Sequence, residues 1–174
     1  MTINLFVRQS FTEASAAEAE QIQGVLDLLR RLDGRPHPLS LLTGAAADTS
    51  ETFRQRFAEA SGQPFTPQNF RRFRLELLGR ADAMIIVRTG LSESSAFEVA
   101  YNLFGGANIP MLFAIWQDRP IKTTLLRELE DMASVSYHSF ARPDELEAPL
   151  QAFFAQVASR RGQAAGGERT RNLL

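Results

Sequence analysis

The chain of 174 residues contains no cysteine, which excludes disulfides, thiol nucleophiles and thiolate-held metals. Histidine is nearly absent. His37 and His138 are the two copies, and their wide separation argues against a zinc site or a serine–histidine triad. Lysine occurs once, at Lys122, while arginine is frequent. Codon bias is the simpler reason for that imbalance, although arginine is the better bidentate partner for phosphate or carboxylate. Neither sign of charge dominates: the net charge is −1 and the pI near 6.1. Nothing in that balance calls for a nucleic-acid polymer or an anionic membrane as partner. Long apolar runs are missing too, and none approaches the ~20 residues of a spanning helix. Met1-Thr2-Ile3-Asn4 lacks the basic and apolar stretches of a signal peptide, so a cytoplasmic protein is expected.

What is present is an ordinary globular composition, 44% hydrophobic and 22% charged, of a length that suits one domain. Short apolar runs alternate with helical patterns. Ile3 to Val7, Ala83 to Val87 and Met111 to Trp116 read as buried strands, with shorter candidates at Pro38 to Leu42 and Val135 to His138. Helical patterns cover Thr12 to Leu32, Glu51 to Ala60, Thr66 or Pro67 to Gly79, the segment up to Gly105-Gly106, Ile121 to Met132 and Asp144 to Arg160. Thr43 to Ser50 is small and polar, hence a loop. Strands that are apolar throughout belong in a parallel sheet covered on both sides. The expectation is therefore α/β: a five-stranded parallel sheet with helices on both faces, a flavodoxin- or Rossmann-like three-layer sandwich. Residues 1–161 form this single domain, and 162–174, with little to pack, are expected to be a mobile tail. Ligands of such sheets bind beyond the carboxyl ends of the strands, so the loops after Val7, Val87 and Trp116 are the ones to search.

The loop after Val87 is the richest. TGLSESSAFEVAYNLFGG, Thr89 to Gly106, carries Glu93 and Glu98 among three serines. One reading is local: Ser95 and Glu98 form a capping box, and Glu93 is a solvated charge. The other is chemical. A carboxylate near a helix start, at the mouth of a strand, is an anionic nucleophile on a rigid support. It suits attack on a sugar carbon whose transition state resembles an oxocarbenium ion. Ser92, Ser94 and Ser95 with the first helical amides can hold an anion such as a phosphate. Arg71, Arg72 and Arg74 lie on a helix that ends near this place. They are either a solvated face, or Arg74 turns inward to pair with Glu98 or a phosphate. Trp116 either stacks on a base or belongs to the core, and His138 reads as structural.

Three segments together, Ala81 to Val87, the Ser92-x5-Glu98 spacing and the apolar strand at Pro110 to Trp116, resemble the nucleoside 2-deoxyribosyltransferase superfamily. That superfamily includes 5′-monophosphate N-glycosidases. The resemblance implies that Glu98 is the catalytic nucleophile and that no cofactor or metal is needed. It places Ser92 where the transferases have an aspartate facing the sugar 5′-hydroxyl; serine leaves room for a phosphate, as in the monophosphate hydrolases. Ser10 falls on a phosphate-contacting serine. Thr124, or Thr123 one register away, falls on a hydroxyl given by a neighbouring subunit, so a homodimer or larger homo-oligomer is implied. Three positions depart. Phe6 replaces a tyrosine that bonds near the nucleophile, with Tyr101 as its nearest substitute. Arg74 replaces the aspartate that handles the base's proton, which an arginine cannot supply at neutral pH. Arg8-Gln9-Ser10-Phe11 lacks the usual glycine. The implied function is cleavage of the N-glycosidic bond of a nucleoside 5′-monophosphate. Glu93 is an alternative acid, and a non-catalytic nucleotide-binding module or a glycosidase for another nucleotide, such as a dinucleotide cofactor, are the alternatives.

Overall fold

A computed structural model describes residues 1–9, 14–43, 50–90 and 92–171, with side chains described outside 50–53 and 164–171. Five strands, β1 (Ile3–Arg8), β2 (Leu39–Leu41), β3 (Ala83–Arg88), β4 (Met111–Trp116) and β5 (Val135–Phe140), form one sheet in the order β2-β1-β3-β4-β5. Every pairing is parallel. This is the flavodoxin-like order. Its strand sequence reverses between β1 and β3, which is where such sheets open a crevice for a ligand.

Side chains alternate across each strand and feed two cores. Ile3, Leu5, Val7, Ala83, Ile85 and Val87 face α1 (Ala16–Leu32) and α5 (Glu147–Arg171). Phe6, Met84, Ile86, Met111 and Phe113 face the other way, toward α3 (Pro67–Gly79) and α4 (Glu93–Phe104). Burial of one such aliphatic side chain stabilises the fold by about 1.5–3 kcal/mol, so the central strands hold both layers. α2 (Ser50–Ser61) docks on α3 through aromatic edges: the Phe57 ring lies 5.5 Å from both Phe65 and Phe73.

Helix starts follow local chemistry. Ser15 and Glu18 form a complete capping box at α1, and Thr66 caps α3, accepting from the Asn69 amide ahead of Pro67. Gly24 in α1 has a packing reason, because a Cβ there would come within 2.5 Å of Pro143.

The fold differs from expectation in three places. Residues 121–132 form two 3-10 turns, Thr124–Leu126 and Leu129–Asp131, separated by Glu128 in the left-handed region at φ 57°. The Tyr137 hydroxyl takes over the backbone bonding, donating to the Leu126 carbonyl at 2.9 Å and accepting from the Leu129 amide at 3.3 Å. A 3-10 turn at Pro143–Leu146 precedes α5, which then runs on through Arg171. Its extension passes Gly162, Gly166 and Gly167, glycines that weaken a helix by about 1 kcal/mol each yet, unlike proline, do not break it. The Ser95–Glu98 capping box does not form. Ser92, with extended backbone, caps α4 by accepting from the Ser95 amide, and Glu98 lies in the second turn. The predicted loop at Thr43 to Ser50 falls mostly outside the described residues. No helix among those described is long and apolar enough to cross a membrane.

Candidate active site

β1 and β3 flank the crevice, and both end on an arginine: INLFVR and AMIIVR. Arg8 projects toward the start of α4. Its Nε–H donates to Ser95 Oγ at 3.0 Å, Nη1 to the Gln9 carbonyl at 2.9 Å and Nη2 to Ser92 Oγ at 2.9 Å. The same Nε lies 3.3 Å from Glu98 Oε2. Arg8 thereby ties the end of β1 to the first turn of α4 and fixes where Glu98 stands.

Glu98 is 5% exposed. Arg74, arriving from α3, donates from Nε to Glu98 Oε1 at 2.8 Å. The Arg74 guanidinium also lies 4.3 Å from the centre of the Phe6 ring, a cation–π contact that strengthens when desolvated. The pairing is one-pronged: Arg74 Nη2 and Glu98 Oε2 are buried without a hydrogen-bond partner. A buried carboxylate needs such counter-charges, since an unpaired one costs several kcal/mol. Burial pushes the Arg8 pKa below its ordinary value; Glu98 opposes that shift and Arg74 adds to it.

Glu98 borders a cavity of about 300 Å³ between α3 and α4, with Arg71, Arg74, Glu93, Ser94 and Phe97 also on its wall. A second hollow of about 500 Å³ shares Arg71 and Leu75 with the first and adds Gln68, Arg72, Glu76 and Tyr101. The arrangement presents a carboxylate, cationic guanidiniums and a second carboxyl group, Glu93, around one space. Among the described residues no His, Cys, Asp or Glu side chains gather in a group able to hold a metal.

The residues singled out from sequence fall into three groups. Glu98, Arg74 and Ser94 meet at the cavity. Ser92 and Phe6 stand behind it: the Ser92 hydroxyl is engaged by Arg8 and the Ser95 amide, and Phe6 is fully buried beneath Arg74. Thr124 is exposed, is not on the cavity wall, and accepts from Arg127 at 3.3 Å. Ser10 lies outside the described residues. Tyr101 lines the second hollow, and no hydrogen bond joins it to Glu98 among the described residues. Of the three α3 arginines, Arg71 and Arg72 are exposed and Arg74 turns inward. Trp116 packs against the α1–α5 core. Arg8 and Arg88 were not singled out, although a legible signal existed: an arginine closing an otherwise apolar strand.

No protein-family model matches the chain, and no curated protein matches it in sequence. Solved structures do. The structure of a Clostridium botulinum CMP N-glycosidase, BcmB, superposes with a TM-score of 0.57 at 12% identity, over 86% of this chain and 98% of that one. The two chains share a fold. A 2-deoxyribosyltransferase from Bacillus psychrosaccharolyticus gives a TM-score of 0.45 at 12% identity, over 83% of this chain and 90% of that one. The likeness to the CMP N-glycosidase structure is one of fold, and the fold is all that it carries.

Proposed function

We propose that this protein cleaves the N-glycosidic bond of a nucleoside 5′-monophosphate, with Glu98 as nucleophile. The observation that carries the reading is Glu98 itself: a buried carboxylate at the strand-order reversal, held by two arginines on the wall of a cavity. A Glu98 oxygen attacks C1′ as the C1′–N bond breaks, and that electron pair leaves with the base. Glu93, on the same wall, protonates the departing base, a task closed to Arg74. Water then attacks C1′ of the glycosyl ester and gives its proton to the Glu93 carboxylate, which releases the sugar phosphate and restores both Glu98 and Glu93 to their starting states. Arg71, Arg74, Ser94 and the α4 N-terminus supply the positive field that suits a phosphate. A homodimer belongs to this reading, because Phe97, on the cavity wall, and Phe104, at the far end of α4, are 51% and 75% exposed, and light scattering tests it.

One observation favours a second reading, a nucleotide-binding module without turnover: Arg74 neutralises the carboxylate from the position of the superfamily's aspartate. Incubation with a panel of 5′-mononucleotides, followed by chromatography for free base, separates the two. The enzyme reading expects release that falls at least a thousandfold in Glu98→Gln. A rise in melting temperature with no base released selects the binding module. Neither release nor stabilisation by any nucleotide removes both.

A further inference from the structure

α3 carries Gln68, Arg71, Arg72, Leu75 and Glu76 at spacings of three and four residues, so one stripe of the helix presents all five. They line the hollow of about 500 Å³, which the proposed reaction leaves without a role. Tyr101 meets them from α4. Its side chain is half-buried and packs against the α3–α4 core. Gly105 makes room for the ring, since a Cβ there would stand 3.0 Å from two ring carbons. The Tyr101 hydroxyl has no hydrogen bond among the described residues.

This hollow adjoins the Glu98 cavity, because Arg71 and Leu75 stand on the walls of both. Arg71, at the join, is the α3 arginine with donors to spare. Arg72 donates to Gln63 and Asn69, and Arg74 to Glu98, whereas no hydrogen bond or ion pair engages Arg71 among the described residues. Size points the same way. Pockets for small ligands span about 300–1,000 Å³. The Glu98 cavity, at about 300 Å³, sits at the lower end of that range, and the adjoining hollow is larger. In the proposed reaction Arg71 belongs to the phosphate end of the nucleotide, so the second hollow begins where a mononucleotide stops.

We infer that the substrate is a pyrophosphate-bridged dinucleotide: one nucleoside phosphate lies in the Glu98 cavity, the pyrophosphate on Arg71, and the second nucleoside in the hollow walled by Tyr101. This rests on the proposed function, whose 5′-nucleotide becomes one half of the ligand. A guanidinium meets two phosphate oxygens through parallel N–H bonds. An aromatic ring stacks on any base, so Tyr101 holds the second base without selecting it. Joining the halves makes the second contact intramolecular and raises affinity without a second association. The bond that breaks is still C1′–N: water supplies the hydroxyl that C1′ gains and the proton that the base takes, and the pyrophosphate stays intact.

Thermal-shift titrations of wild-type and Glu98→Gln protein test this, the variant separating binding from turnover. They compare adenosine 5′-monophosphate with diadenosine 5′,5′-pyrophosphate, and nicotinamide mononucleotide with nicotinamide adenine dinucleotide. The expected result, in each pair that binds, is an apparent Kd at least tenfold lower for the dinucleotide, an advantage that Tyr101→Leu reduces at least fivefold. An advantage below tenfold, or one that Tyr101→Leu reduces less than fivefold, overturns the inference. Should Tyr101→Leu not fold, Gln68→Trp decides by the same ratio, because it fills the hollow from an exposed position. Chromatography for free base keeps the two readings apart. Base released from mononucleotides, with no dinucleotide advantage, sinks the second site and spares the glycosidase reading. A Tyr101-dependent advantage with no base released from any of the four ligands keeps the second site and sinks the glycosidase reading. No binding by any of the four removes both.

Discussion

Glu18 and Glu98 are both buried, both lie close to helix starts, and both follow a serine three positions earlier. Their carboxylates are used differently. Glu18 Oε2 accepts from the Ser15 amide at 2.8 Å and the Ser15 hydroxyl at 3.0 Å, and Oε1 accepts from Arg119 at 2.8 Å. Each oxygen is satisfied, and the group finishes a helix end. Glu98 keeps one oxygen without a hydrogen bond, stands a turn further into its helix, and borders a cavity. Two copies of the pattern Ser-x-x-Glu thus give one cap and one candidate site. What separates them is the register of the cap: Ser92 starts α4 before Ser95 can, and frees Glu98 from that duty.

The sharpest break of this comparison is catalytic. Glu98→Gln is expected to lower base release at least a thousandfold, and Glu18→Gln to change it less than twofold, in the same chromatographic assay. Equal losses would mean that neither carboxylate is the nucleophile. Next come the caps. Ser15→Ala and Ser92→Ala should each cost about 1–2 kcal/mol in urea denaturation. Ser92→Ala alone should also lower activity, about tenfold, because it removes an anchor of Arg8.

A pH series sharpens the contrast further. The Ser15 amide, and then Arg119, hold the Glu18 pKa below its ordinary 4.5. A depressed carboxylate contributes stability above its unfolded pKa and loses it as pH falls through the folded value. The gap in melting temperature between wild type and Glu18→Gln should be full at pH 6 and should close below about pH 4.5. A gap that widens on acidification would contradict the assignment. The smallest effect is expected from Arg119→Ala. Arg119 is 55% exposed in its pair with Glu18, so screening leaves at most about 1 kcal/mol, read by the same denaturation.

Much of the fold was legible because its signals are local and repeated. INLFV, AMIIV and MLFAIW are apolar along their whole length, which happens when both faces of a strand are covered. Pro67 and Thr66 marked the start of α3 for reasons contained in four residues. Residues 121–132 misled for a long-range reason: their helical pattern is real, but the Tyr137 hydroxyl, from the neighbouring strand, takes the bonds a helix would use. Of the candidate site, Glu98, Ser94 and Arg74 were legible from motif spacing. Arg8 and Arg88 were not, because their meaning depends on which strands are neighbours.

The sequence by itself determined the layers. Apolar periodicity sets which segments become strands and helices and which faces they bury, and that information is spread over many residues. Only the tertiary structure decided that Arg8, Arg74 and Glu98 converge while Arg88 meets no carboxylate among the described residues. The reason is that charge pairing depends on distances of a few ångströms between residues tens of positions apart, and strand order, not periodicity, sets those distances.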